Sequence, residues 1–220
     1  MQVLFGSGLL TPAIQNAATS LLNGTIPADW LKMWESGPEK PQAWLRELVR
    51  RRLALLKWKM ALSKGGSGNL LSTSLSLSDL FHPATFINAL RQQTARKLNV
   101  AIDQVKLNCS WGDSRRVKQD CPLPCTLSNL LLQGASFNGG TLQESSPEAS
   151  ELVPVTDVTI GFVPMKAPDS YNPESAVAVP VYLTPSREEY LMELQLPMPH
   201  SGDQDRWILT GLALFLSEDD

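Results

Sequence analysis

From about residue 100 onward, apolar residues recur at every second position in short runs broken by Gly, Pro, Asn and Asp. Upstream they recur at intervals of three and four. A two-residue period buries one face of a strand, and a 3.6-residue period buries one stripe of a helix. The change of period at Leu98–Asn99 therefore predicts an α+β chain. A helical subdomain is expected over 9–98, followed over 99–220 by a small antiparallel, incomplete β-barrel. Strands are expected at Gln104–Trp111, Thr126–Phe137, Val155–Pro164, Ala176–Thr184, Glu189–Met198 and Arg206–Leu216, with every helix preceding them. Asn138-Gly139-Gly140 reads as a tight turn, and Pro180, which cannot donate to a ladder, should lie on an edge or at a bulge.

The first helix has its start and stop written in sequence: Thr11 as cap, Pro12 in the first turn, Gly24 as left-handed stop. Its apolar face is Ile14, Ala17, Ala18, Leu21 and Leu22. Trp30 and Trp34 stack if the next segment is helical. A longer helix is predicted from Pro41 to about Ser63, its inward stripe being Trp44, Leu45, Leu48, Val49, Leu55, Leu56 and Leu62. Leu71–Leu80 alternates Leu and Ser and reads as extended. A third helix starts at Pro83, turns Phe86, Ile87, Leu90, Thr94 and Leu98 inward, and stops at Asn99.

With 43% hydrophobic and 19% charged residues in 220, the chain is neither a disordered tail nor a fibre. A net charge of −3 supplies no field for nucleic acid or anionic lipid, so neither is an expected partner. No apolar run approaches the ~18 residues of a membrane span. The N-terminus lacks the pattern of a signal peptide, and three sparse cysteines read as reduced thiols in the cytoplasm. Met1–Gly8 reads as a tag remnant, and Gly65–Asn69 as a flexible linker, either native or a splice.

The candidate chemistry is thin. A phosphate loop needs a glycine-rich turn ending in Gly-Lys, and the chain has no Gly-Lys pair. Ser67, within Gly65–Asn69, imitates a nucleophile elbow, but Asn69 replaces the last glycine. His82 and His200 are the two imidazoles, at a helix start and in a turn, and read as capping or surface residues. Cys109, Cys121 and Cys125 lack the fourth ligand of a structural zinc site and read as free structural thiols. Arg50-Arg51-Arg52 fits the solvated face of an amphipathic helix. Trp30, Trp34, Trp44 and Trp58 suit either core packing or a protein contact. No catalytic, cofactor-binding or metal-ligating residue is predicted.

Several short motifs, taken in order, resemble the C-terminal domain of dynein heavy chains. They begin with Leu21-Leu22-Asn23-Gly24-Thr25-Ile26-Pro27 and Trp30, then Leu80-Phe81-His82-Pro83-Ala84-Thr85-Phe86 with Ala89 and Arg91-Gln92. Leu131-Leu132-Gln133-Gly134-Ala135 follows, then Val179-Pro180-Val181-Tyr182 with Thr184 and Arg187. Trp207-Ile208 and Gly211-Leu212-Ala213-Leu214-Phe215 close the series. Within that family, Asn88-Ala89-Leu90-Arg91-Gln92, Thr94-Ala95-Arg96 and Asp203-Gln204-Asp205-Arg206-Trp207 are most similar to the cytoplasmic dynein of intraflagellar transport. The Cys109–Cys125 region matches no mark of the family.

The resemblance implies a helical subdomain and a small incomplete barrel packed on the AAA+ ring of a minus-end-directed microtubule motor, in the cytoplasm and the cilium. It implies a non-catalytic element that tunes force and processivity. ATP and magnesium would belong to AAA+ modules upstream, microtubule contact to other parts of the motor, and dimerisation to the full-length heavy chain. Two other readings stand beside it: a free-standing barrel that binds a peptide or adaptor at an edge beside Pro180, and a small hydrolase using Ser67 or a cysteine.

Overall fold

A computed structural model describes residues 11–31, 41–112, 117, 121–138, 140–144, 151–200 and 204–216. The expectations for Met1–Gly8 and Trp34 lie outside the described residues, as does the side chain of Trp44. The protein forms two compact units, Met1–Leu53 and Ala54–Asp220. The change of period near residue 98 marks a helix-to-strand transition inside the second unit.

Helix α1 (Pro12–Leu22) forms as its signals dictate. Thr11 Oγ1 accepts from the Ile14 N–H at 3.4 Å, Pro12 opens the helix, and Gly24 follows it at φ +74°. None of its residues is buried; Ala17 and Leu21 are half-buried. Helix α2 (Ala28–Leu31) is a single turn carrying the half-buried Trp30.

Helix α3 (Pro41–Leu71) contains the division between the units and departs from expectation twice. It runs helically through Gly65–Asn69, where composition suggests a linker, although each interior glycine costs about 1 kcal/mol relative to alanine. Its predicted inward stripe also faces water at Val49, Leu55, Leu56 and Leu62. Ala54 is the buried position, and Trp58, Ala61 and Leu71 pack against the core.

In the second unit, strand β1 (Ser74–Leu75) and a 3-10 turn at Leu77–Asp79 lead to α4 (Pro83–Leu98). Ile87, Leu90 and Thr94 are buried and Phe86 and Leu98 half-buried, as the periodicity requires. Asn99 ends α4 at φ 54°, the left-handed conformation that asparagine tolerates.

The strands are β2 (Val105–Trp111), β3 (Cys125–Leu127), β4 (Leu131–Gln133), β5 (Ser136–Asn138), β6 (Thr141–Gln143), β7 (Val153–Pro154), β8 (Val158–Pro164), β9 (Ala176–Tyr182), β10 (Tyr190–Pro197) and β11 (Ala213–Phe215). They build one sheet in the order β1-β3-β8-β2, another in the order β10-β9-β11-β4-β7, and the hairpin β5-β6. The α+β class holds: the sheets are largely antiparallel, the β1–β3 and β11–β9 pairs are parallel, and no closed barrel forms among the described residues.

Two predicted strands are broken. Thr126–Phe137 becomes three short strands, because Asn129 at φ 60° and Gly134 at φ 88° turn the backbone. Arg206–Leu216 becomes helix α5 (Gln204–Leu209) followed by β11, so a helix does occur among the strands. Strand β5 pairs with β6 in a hairpin whose last pair is Asn138 with Thr141, while Gly139 of the expected turn lies outside the described residues. Pro180 is not on an edge: β9 lies between β10 and β11. It pairs opposite Glu193, one residue before the β11 ladder begins at Val181. Side chains of both sheets fill one core, including Leu127, Leu132, Ile160, Val179, Leu194, Leu214 and Phe215.

Candidate functional site

The two sheets come together along β2 and β10, and there side chains replace a backbone ladder. The Gln195 carbonyl accepts from Trp111 Nε1 at 2.8 Å and from the Cys109 thiol at 3.5 Å, while the Gln195 N–H points to Cys109 Sγ at 3.4 Å. The edge of β2 is otherwise capped locally. Asn108 Oδ1 accepts the N–H of Cys109 and of Ser170, each at 3.0 Å, and Asn108 Nδ2 donates to the Pro168 carbonyl at 3.2 Å. Tyr171 OH accepts the Trp111 N–H at 2.8 Å. An edge whose donors are satisfied this way is closed to a further strand.

A hollow of about 330 Å³ opens at one end of this seam, between Ser110, Trp111, Tyr171, Ser175, Pro197 and Met198. A void of about 20 Å³ lies at the other, between Asn108, Cys109, Asp169 and Glu193. Asn108, Tyr171 and Gln195 carry the seam, and sequence reasoning misses all three. Asn108 alternates with Lys106 and Ser110 on the polar positions of β2, so nothing in the sequence sets it apart.

The residues that chemistry singles out are not assembled. Cys109, Cys121 and Cys125 are buried free thiols. Burial pushes the Cys109 and Cys125 thiols up to about 12, and it raises Cys121 as well. They are protonated groups in apolar surroundings, unsuited to nucleophilic attack. Cys121 packs directly on the backbone of β8, since a Cβ placed on Gly161 would lie 2.3 Å from its Sγ. His82, at the N-cap of α4, is exposed and its side chain makes no capping bond; His200 is exposed too. Ser67 stands on a helical backbone rather than on a strand-to-helix elbow. Among the described residues no three His, Cys, Asp or Glu side chains cluster as a metal site.

Arg50 and Arg51 are engaged within their own helix. Arg50 Nη2 lies 2.6 Å from Glu47 Oε2, and Arg51 Nε 3.4 Å from the same oxygen. Burial alone pushes the Glu47 carboxyl up, but the bonds and charges of the two guanidiniums outweigh it and hold it below its usual value.

The motif residues of the second sheet converge on one place. Arg187 Nη2 donates to Gln133 Oε1 at 2.8 Å and to the Gly211 carbonyl at 2.7 Å, and its guanidinium lies 5.8 Å from the Phe215 ring centre. Gly134 has φ +88°, and a Cβ there would stand 3.0 Å from the Thr210 carbonyl oxygen. Leu132, Ala135, Leu214 and Phe215 are buried around it. These residues hold β4, β9 and β11 together, and their identity is dictated by architecture.

The family model for the C-terminal domain of the dynein heavy chain matches residues 1–216. The protein belongs to that family. This dynein C-terminal domain is 39% identical over 215 residues to the Homo sapiens "Cytoplasmic dynein 2 heavy chain 1", covering 98% of the chain and 5% of that protein. To the Chlamydomonas reinhardtii protein of the same name it is 35% identical over 222 residues, again with 98% and 5% covered. To the Dictyostelium discoideum "Dynein heavy chain, cytoplasmic" it is 23% identical over 216 residues, with 97% and 4% covered. The dynein C-terminal domain thus spans 5% of the length of the first two relatives. No described helix is long and apolar enough to cross a membrane.

Proposed function

We propose that the protein is a non-catalytic, regulatory element of a dynein heavy chain of the ciliary transport class. It packs on the AAA+ ring of a minus-end-directed motor that carries retrograde intraflagellar traffic, and it modulates force and processivity. The observation that carries this reading is the match of almost the whole sequence to one dynein family model, with its motif residues spent on joining strands rather than on lining a reactive site. ATP and magnesium belong to ring modules elsewhere in the heavy chain, and microtubule contact and dimerisation to further parts of it. The setting is the cytoskeleton of cytoplasm and cilium. A packed element changes a motor's cycle only by the difference in its contact free energy between the ring's nucleotide states.

The test compares an intact heavy chain with one truncated before this segment, in single-molecule motility and stall-force assays. Altered run length or stall force, with ATP turnover retained, supports the reading; identical traces overturn it. The 220 residues by themselves should turn over no ATP. Turnover that substitutions within them abolish would refute a non-catalytic role.

The hollow beside Trp111 and Tyr171 favours one second reading, a module that takes a peptide or adaptor side chain. Tight adaptor binding by a domain with no affinity for the ring would select it.

A further inference from the structure

The second half of α3 has an outward face that the fold leaves uncovered. Over residues 54–64 one side turns inward: Ala54 is buried, Trp58 and Ala61 pack on the core, and the Trp58 ring lies 5.6 Å from Phe86. On the other sides Leu55 is 42% exposed, Leu56 40%, Met60 57% and Leu62 44%. At about 3.6 residues per turn, Leu56 and Met60 form one row and Leu55 and Leu62 another, with Lys59 between them. Surface helices place polar residues there. Single exposed leucines need no explanation, but four large apolar side chains in three turns form a patch.

Charge narrows the occupant. Lys57, Lys59 and Lys64 are exposed, and residues 54–71 contain no Asp or Glu, in a protein whose net charge is −3. Earlier in the same helix Glu47 pairs with Arg50 and Arg51, whereas the three lysines have no ion-pair partner among the described residues. A surface that buries the apolar rows must bring carboxylates to these ammonium groups or leave them desolvated and unpaired. A second copy of this face would set lysine against lysine across a two-fold axis. Eleven helical residues also span only about 15 Å. That is too little for the ~800 Å² per partner of a free-standing complex. A tethered partner needs less area, because the covalent link supplies an effective concentration on the order of millimolar. The relatives supply such a tether, since the aligned segment is 5% of their length.

We infer that the outward face of α3 over residues 54–64 docks on an apolar patch rimmed by carboxylates, in the part of the same heavy chain outside these 220 residues. This rests on the ring-packing reading above and names the surface through which it is achieved.

The experiment compares peroxide oxidation of Met60 and acetylation of Lys57, Lys59 and Lys64 in the whole heavy chain and in the 220 residues alone. The docked face should react about ten-fold more slowly in the heavy chain, as a contact of modest free energy requires. A zero-length carboxyl-to-amine cross-linker should join these lysines to Asp or Glu outside the 220 residues. In the heavy chain, the exposed triple variant Lys57→Glu, Lys59→Glu, Lys64→Glu should lose the cross-links and restore the fast rate at Met60. Equal rates at these four residues, with slowed labelling at Met165 or Lys166, overturn this face while ring packing survives. Equal rates everywhere overturn both. Cross-links to a second copy, or protection that appears only with phosphatidylserine vesicles, also overturn it.

Discussion

Trp111 Nε1 donates to the backbone carbonyl of Gln195 at 2.8 Å, and this bond spans the edges of two sheets that share no ladder there. The same carbonyl accepts the Cys109 thiol at 3.5 Å, so one acceptor on β10 is served by two side chains of β2. Trp111 also meets Phe137, ring centres 5.0 Å apart, which anchors the β5–β6 hairpin to the seam. Side-chain bridging holds the strands around one core where no backbone ladder joins the two sheets.

Replacing Trp111 by Phe keeps a ring in the seam but removes the donor. It should destabilise the fold by about 1 kcal/mol, the usual net contribution of one hydrogen bond, since the part-buried carbonyl keeps only the Cys109 thiol as donor. Cys109→Ala should cost about 1 kcal/mol on the same scale. Because both act on the Gln195 carbonyl, the double variant should depart from additivity by about 0.5 kcal/mol or more. Urea unfolding of the three variants measures this, and strictly additive effects would sink the shared-acceptor account.

Much of this architecture is legible in the sequence where one residue type answers one local demand. Thr11, Pro12, Gly24 and Asn99 mark helix ends because caps and left-handed turns admit few residues. Periodicity fails where a nonlocal contact decides. The apolar run Trp207-Ile208-Leu209 suits a strand or a helical turn equally. It is helical where Gln204 Nε2 donates to the Ala176 carbonyl at 2.9 Å, while Leu209 stays 86% exposed. The stripe of α3 fails for another reason. Spacing shows which residues of a helix are apolar, but not whether the rest of the fold supplies a cover for Leu55, Leu56 and Leu62. The seam is invisible in the sequence because Asn108 and Trp111 meet Ser170 and Tyr171 across sixty or more positions.

The buried thiols give stability a pH dependence of definite sign. Burial raises Cys109 and Cys125 from the ordinary thiol value of 9.0 to about 12. Between those values the folded protein keeps protons that the unfolded one releases, so stability falls as pH rises. Their contribution is intact below pH 9 and is lost as pH climbs through about 12. Each thiol adds a slope of up to about 1.4 kcal/mol per pH unit in that window. Urea midpoints between about pH 8 and 11 should fall less steeply for Cys109→Ala and Cys125→Ala than for the parent. Equal slopes in all three would contradict the assignment.

Gly161 sits inside β8 opposite Asn108, and its lack of a side chain is a packing requirement rather than a conformational one. A Cβ at this position would stand 2.3 Å from Cys121 Sγ and 3.0 Å from both Cys121 Cβ and Val117 Cγ1. Cys121 and Val117 are buried, so neither can swing into solvent to make room. Gly161→Ala should therefore destabilise the fold by about 1–3 kcal/mol, the usual cost of overpacking. For a protein of this size about 1 kcal/mol lowers the melting temperature by roughly 2–4 °C, well within calorimetric reach. Adding Cys121→Ala removes the nearest atom but leaves the Cys121 Cβ and Val117 Cγ1 contacts, so the double variant should recover part of the loss. If instead Cys121→Ala and Gly161→Ala destabilise additively, the strand and the Cys121 segment are not in the contact described, and glycine at this position needs another explanation.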